Sequence, residues 1–512
     1  MSWLSGFVRD EPRVLWARWI FLRGLGLIFL SAFGALAAQI HALIGPSGIL
    51  PAQRYLEFVH QLRPGLYGIW SAPSLLWLGA SDQALTILVA FGIASSLLLF
   101  LNVAPRWMCL ACSVLFLSFV STSRDFSSYQ SDGMLLEAGF VGALFAPRAL
   151  FPGLATQSPP TRAAHLLLVW EWFRIYFQSG VGKLASGEPS WRDLTAMDAY
   201  YERGPLPTWL AWHAHQLPHG FHAFSVVVTF VVELALPVLA LAWRPSRKWV
   251  FAFVTVFQIG IIATANYAFL NYLVLLLGFL LLDDELLQRA RFRVSSGPEM
   301  RARSRIAHWL HTSALVTLVY SSIATFALRG APEEAMWLGL PARALSPFRV
   351  ADRYGLFAVM TPARWELEFQ GSRDGVTWTP YPFRYKPQAL AERPKIYAPY
   401  QPRFEWNLWF CSLDRAWEQC GFIVETSARL LQNEPHVLSL FRTDPFAGDP
   451  PRFMRVVKWE YWFTDKNERA TTKNWWRRDF VGVFGPLLER QPDGTITVTV
   501  PVEISNKETV TP

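Results

Sequence analysis

The sequence predicts an α-helical polytopic membrane bundle of about nine spans followed by an extracytoplasmic, β-sandwich-like domain. Three observations predict it. Hydrophobic residues make up 52% of the 512 residues and charged residues 17%, against about 25% charged in an ordinary soluble protein. The apolar residues run in long blocks up to Leu328, whereas the chain beyond Gly330 alternates as a polar domain does. The basic residues sort between the intervening loops as those of a membrane protein do. The expected organisation is a bundle over residues 1–329, with extracytoplasmic loops 45–83 and 180–221, and a β-rich domain with short helices over 330–505.

A helix of about 20 apolar residues crosses a bilayer. The apolar runs place spans near 24–44, 84–103, 107–121, 132–146, 163–179, 222–243, 249–264, 268–282 and 306–328. Lys and Arg gather in cytoplasmic loops. With a cytoplasmic N-terminus the inner segments hold 16 Lys and Arg and the longer outer loops hold 6. The group Arg289, Arg291, Arg293, Arg301, Arg303 and Arg305 then reads as a stop to translocation. An odd number of spans carries the tail and both long loops to the outer side of a cell (inner) membrane, or into the lumen of the endoplasmic reticulum in a eukaryotic cell. The first apolar run is too long for a cleavable signal peptide and lacks a small-residue cleavage site.

In the tail, residues 364–386 alternate apolar and polar positions on either side of Asp374-Gly375, a hairpin signal. Val456–Phe463 and Gly494–Ile504 alternate again, and a helix is expected over 424–433 with Pro435 ending it. The tail is expected to be a β sandwich with helical inserts.

The 24 Trp suit membrane interfaces and extracytoplasmic surfaces. The net charge of +8 raises nucleic acid as a partner, but the basic residues form no groove-lining pattern, and membrane topology explains most of them. Nucleic acid is therefore excluded as a partner. Four Cys are too few for a disulfide scaffold. Cys109 and Cys112 lie in an apolar run as packing residues, and Cys411 and Cys420 could pair if the tail faces an oxidising compartment.

The outer segment 179–218 is the most informative stretch. It reads Ser-Gly-Val-Gly-Lys-Leu-Ala-Ser-Gly-Glu-Pro-Ser-Trp-Arg-Asp-Leu-Thr-Ala, and after a short interval Gly-Pro-Leu-Pro-Thr-Trp-Leu-Ala-Trp-His-Ala-His-Gln-Leu-Pro. It resembles the signature loop of the lipase maturation factor family. The resemblance continues through Asp132-Gly-Met-Leu-Leu-Glu137-Ala-Gly139, Asn271-Tyr272 to Asp283-Asp284, and Tyr354-Gly355-Leu356-Phe357 with Gly371–Gly375. It extends through Gln401-Pro402-Arg403 with Trp406, Pro450-Pro451-Arg452, and Trp475-Trp476-Arg477-Arg478. It covers most of 120–490 in order. Tyr400 departs from it where His is expected.

The resemblance implies a membrane-anchored maturation factor whose partners are the bilayer and a secreted, lipase-like client. Eukaryotic members of the family sit in the endoplasmic-reticulum membrane and help secreted lipases fold and assemble. The bundle is also distantly similar to that of vitamin K-dependent gamma-carboxylase. The alternative is therefore a membrane enzyme acting on a protein side chain or a lipid-soluble cofactor. A transporter is disfavoured because no internal repeat or pair of broken helices is visible.

Ionisable residues inside spans are costly and need partners. Glu171 and Arg174 are three apart on one helix face and form the expected pair, with Glu137 and Glu233 joining a polar network from other spans. That network either fixes helix packing or lines a functional cavity. Lys183, His213 and His215 are the candidate catalytic residues, as general bases in a dry pocket; beside Trp209 and Trp212 the histidines suit an interfacial aromatic cap equally well. No Ser-His-Asp order, phosphate loop, dinucleotide loop or zinc spacing occurs with its required context, so neither metal nor cofactor is expected. Candidates for a client surface are Trp191, Arg192, Asp193, Asp374, Gln401, Arg403, Trp406, Arg452, Trp475 and Trp476. A deep cavity lined by Lys183, His213, Glu171 and Arg174 would mark an enzyme, and a filled core beneath an exposed groove would mark a folding helper.

Overall fold

The computed structural model describes residues 10–127, 129–155, 158–289, 305–328, 337–413 and 416–499. The chain divides into two compact units. The first contains residues up to Ile40, Ala52–Pro362 and Lys395–Arg403; the second contains His41–Pro51, Ala363–Pro394 and the chain from Phe404 onward. The division near Ala363 lies later than the polarity change at residue 330. Residues 350–357 belong with the helices because buried charges of the bundle bind them, as shown below.

Every stretch predicted as a span lies on a helix. Among the described residues five helices are long and apolar enough to cross a membrane: Leu15–Ile44, Asp82–Phe100, His219–Ala242, Arg244–Thr264 and Trp309–Ala327. Pro105–Val120 and Leu270–Leu281 are apolar but shorter. The helices start where their sequences dictate. The Ser81 and Thr161 side chains accept from the amides of Ala84 and Ala164, satisfying groups that a helix N-terminus leaves unpaired. Pro105 opens its helix, where its missing N–H costs nothing.

Helices Gln130–Phe145 and Arg162–Ala185 carry the charged residues and are buried along nearly their whole length. The helices around them turn apolar side chains outward, such as Phe91, Trp249, Phe253 and Val256. An apolar exterior around a charged interior is the pattern a bilayer imposes, since lipid accepts leucine but not an unpaired carboxylate.

Three boundaries differ from expectation. Helix Arg162–Ala185 continues six residues past the expected span end, taking Lys183 into the bundle. Segment 180–221 is mostly helical, with Pro189–Arg192, Ala196–Arg203 and Trp209–His215. Segment 45–83 contains helices Ala52–Leu62 and Leu66–Ser71. Of the Arg289–Arg305 group, residues 291–303 lie outside the described residues.

The second unit is built on one antiparallel sheet of six strands: β1 (Arg364–Ser372), β2 (Thr379–Pro380), β3 (Phe453–Phe463), β4 (Trp476–Val483), β5 (Leu487–Arg490) and β6 (Ile496–Thr499). Their order is β2-β1-β3-β5-β6, with β4 also pairing with β3. β1 and β3 pair over nine residues, from Arg364 opposite Tyr461 to Ser372 opposite Phe453. The expected hairpin at Asp374-Gly375 is present, although β2 is only two residues long.

The expected sandwich is corrected: the described residues form a single sheet. One face of β1 presents Leu367 and Phe369, and Phe369 packs against Phe383, Phe404 and Phe441. Its other face carries Arg364, Glu366, Glu368 and Gln370. Arg364 and Lys386 pair with Glu366, and Glu368 takes Gln370 and Arg478. Charges that satisfy one another in this way offer no apolar surface for a second sheet to cover.

The expected helix at 424–433 runs over Gly421–Leu431. Helices Arg403–Ser412 and Lys466–Thr472 were not foreseen. The strand expected to reach Ile504 is described only to Thr499. Cys411 and Cys420 form a disulfide, while Cys109 and Cys112 are buried free thiols.

Candidate functional site

Three of the buried charged clusters of the helical unit each hold a distant piece of chain. In the first, a guanidinium nitrogen of Arg174 donates to Glu137 Oε1, and another donates to the carbonyl of Asp352 at 2.7 Å. The second oxygen of Glu137 accepts from the Tyr354 hydroxyl at 2.7 Å and the Ala351 amide at 3.2 Å. Gln178 Oε1 takes the Tyr354 amide at 2.8 Å. Segment 351–354 is thereby fastened to two helices more than 170 residues earlier in sequence.

The second cluster centres on Lys183. Its ammonium donates to both oxygens of Glu233, at 2.8 and 2.9 Å, and to the Leu356 carbonyl at 2.9 Å. The Trp191 ring lies 5.1 Å from it. Glu233 sits in a single π turn, Val231–Ala235, within helix His219–Ala242. Gly180 lets this turn approach: a Cβ there would meet Leu234 at 2.7 Å and Glu233 at 3.0 Å. Lys183 and Glu233 border a cavity of about 100 Å³ with Tyr176, Tyr200, Gln258 and Asn271.

In the third cluster both terminal nitrogens of Arg403 bind the two oxygens of Asp132, at 2.8 Å each, and one also donates to the Phe126 carbonyl. This two-pronged geometry is specific to arginine. It holds the end of Lys395–Arg403 in the helical unit. Gln39 Nε2 secures the same segment by donating to the Tyr400 hydroxyl at 3.0 Å and the Gln401 carbonyl at 2.9 Å. Tyr400, which stands where the family pattern leads one to expect His, acts here as a hydrogen-bonding anchor.

Several expectations are corrected. Glu171 and Arg174 make no hydrogen-bonded pair; Arg174 takes Glu137, and the buried carboxylate oxygens of Glu171 have no hydrogen-bond partner among the described residues. Of Lys183, His213, Glu171 and Arg174, only Lys183 borders the small cavity. His213 packs edge-on to Trp209 and Trp212, at ring distances of 5.8 and 4.9 Å. His215 lies 3.7 Å from Glu202.

Most of the candidate client surface is buried. Gln401, Arg403, Trp406, Trp475, Trp476 and Trp191 are each 7% exposed or less, which removes them from any client surface. Trp476 stacks on Phe463 at 4.3 Å. Asp374 closes its own turn, accepting from Val376, Thr377 and Ser372. Arg192 and Asp193 are exposed, as is Arg452, which pairs with Glu489.

Sequence reasoning missed Asp198, which takes His222 at 2.8 Å and His219 at 3.0 Å. These residues lie 21 and 24 positions apart, and no periodicity links them. It also missed the exposed apolar group Phe480, Val481 and Val483 on β4. Among the described residues no three His, Cys, Asp or Glu converge to hold a metal.

The apolar exterior and the charged interior define a helical membrane protein with an appended antiparallel β domain. Family models for the lipase maturation factor transmembrane domain and C-terminal domain match residues 16–289 and 350–486. The chain is 32% identical over 586 residues to lipase maturation factor 2 of Gallus gallus, spanning 92% of this chain and 81% of that protein. Against lipase maturation factor 2 of Homo sapiens the identity is 31%, with 92% and 82% spanned. Against lipase maturation factor 1 of Bos taurus it is 30%, with 93% and 89% spanned. No solved structure matches the chain. The protein belongs to the lipase maturation factor family.

Proposed function

We propose that this protein is a membrane-anchored maturation factor that helps a secreted, lipase-like client reach its active fold. The observation that carries this reading is the commitment of the buried charges. Lys183 is bound to Glu233 and Leu356, Arg174 to Glu137 and Asp352, and Arg403 to Asp132. Their bonds join segments of the protein's own chain that lie far apart in sequence, as a scaffold requires, and a folding helper needs no free general base.

The orientation proposed with this role is a cytoplasmic N-terminus, nine crossings, and an extracytoplasmic β domain that meets clients after export. The division of Lys and Arg, 16 inside against 6 outside, supports it. The client-facing surface proposed here is β4, where Phe480, Val481 and Val483 are about half exposed. Apolar side chains on an edge strand suit a client segment not yet folded.

Co-expression with a secreted lipase tests the role. Deleting the protein should lower the lipase's activity more than its amount, because misfolded client persists without function. Replacing Phe480, Val481 and Val483 by Ser or Thr should reproduce much of that loss, whereas His213→Ala should not. Equal loss of lipase amount and activity on deletion would refute the reading.

A further inference from the structure

We infer that the basic end of the helical unit holds a binding site for the phosphate headgroup of an anionic phospholipid. A cavity of about 350 Å³ opens there among helix ends. Arg162 begins one helix; Arg244 lies in the short turn Arg244–Ser246 between two others, and Arg247 and Lys248 open the second of these. All four line the cavity.

Three acidic residues also line it, Glu11, Asp283 and Glu285, but Glu11 is taken by Arg13 at 2.9 Å. The lining therefore keeps a basic excess. Arg247 is held in place by its Nε bond to the Ala240 carbonyl at 2.9 Å, while Arg162, Arg244 and Lys248 extend to the exposed rim. The floor is apolar, with Leu166, Val169 and Leu280–Leu282. A charged rim over an apolar floor matches a phosphate joined to acyl chains and is a poor match for a soluble anion.

A second feature sets the depth. Trp243 and Trp249 bracket the basic turn and are 58% and 70% exposed. Large exposed indoles at helix ends mark the level of the lipid headgroups. Basic pockets between membrane helices at that level recognise anionic lipid. This site is separate from the maturation role and stands without it.

Native mass spectrometry of the full chain in detergent, with added phosphatidylglycerol or phosphatidylcholine, tests the assignment. Wild-type protein should retain phosphatidylglycerol preferentially. Lys248→Gln alone should weaken that retention about fivefold, the contribution of one basic residue near a lipid surface, and R162Q/R244Q/K248Q should weaken it further. The variant R373Q/R452Q/R477Q, which neutralises exposed residues of the β domain, should retain the lipid as wild type does. Melting without lipid checks that each variant is folded, and the exposed Lys248→Gln serves if the triple is not. Equal retention of both lipids by wild type, or equal loss in the β-domain variant, would overturn the site. Stabilisation by millimolar inorganic phosphate matching that by phosphatidylglycerol would assign the cavity to a soluble anion and overturn the lipid reading.

Discussion

Arg174 reaches across the bundle to Glu137 and leaves Glu171, one turn earlier on its own helix, without a hydrogen bond among the described residues. The i, i+3 spacing puts Glu171 on the same face, but tertiary packing delivers a carboxylate with better geometry from helix Gln130–Phe145. The Tyr354 hydroxyl and Asp352 carbonyl complete the site, so the pair also ties down chain far from either helix.

Removing one member should therefore be costly. Arg174→Leu or Glu137→Leu leaves a buried charge alone, which typically costs about 3–5 kcal/mol. The double change should cost less than the sum. Thermal unfolding of the detergent-solubilised protein checks this, and additive losses would count against the pair.

Glu171→Met should be within about 1 kcal/mol of wild type, because a buried carboxyl with no donor contributes little that an apolar side chain lacks. A loss as large as that of Glu137→Leu in the same unfolding assay would show that Glu171 has a partner or a chemical role.

Arg403→Lys keeps the charge but cannot bind both oxygens of Asp132 and the Phe126 carbonyl together. Each hydrogen bond to a charged group is worth about 1.5–3 kcal/mol, so at least that much stability should be lost. Proteolysis near Lys395–Arg403 should rise with it. An unchanged melting point and cleavage pattern would show that the fork is dispensable.

The Cys411–Cys420 disulfide closes a short loop, at a separation of 9 residues. Opening it should destabilise the β domain by about 2–3 kcal/mol. The bond also reports topology, since disulfides persist in oxidising compartments. Alkylation in intact cells should find both thiols blocked. Reporters fused after Ser246 or Pro298 should behave as cytoplasmic, and those after Gly187 or at the C-terminus as extracytoplasmic. A cytoplasmic C-terminus would remove the tail from secreted clients.

Asp374 gives a pH test. Hydrogen bonds from the Thr377 and Val376 amides and the Ser372 hydroxyl hold its carboxyl well below the usual carboxylate range. A lowered folded value means the stabilisation is present above the ordinary value of 3.8 and is lost as pH falls toward the folded one. Asp374→Asn should weaken the turn at neutral pH and remove this acid dependence. An unchanged acid-unfolding profile in Asp374→Asn would exclude the turn as its source.

What one-dimensional patterns encode is legible along the chain. Apolar runs located the helices, alternation located β1 and β3, and ordered motifs carried the family. These signals are local, arising from solvent and from backbone periodicity. Packing in three dimensions set the partners: Glu137 and not Glu171 for Arg174, Asp132 for Arg403, Glu233 for Lys183 and Asp198 for His222. It also decided that one face of β1 would satisfy its charges internally and leave the sheet single. The reason is that an ion pair is set by distance in space, and ion-pair partners as far as 271 positions apart meet here because helices and strands pack, which no spacing along the chain records.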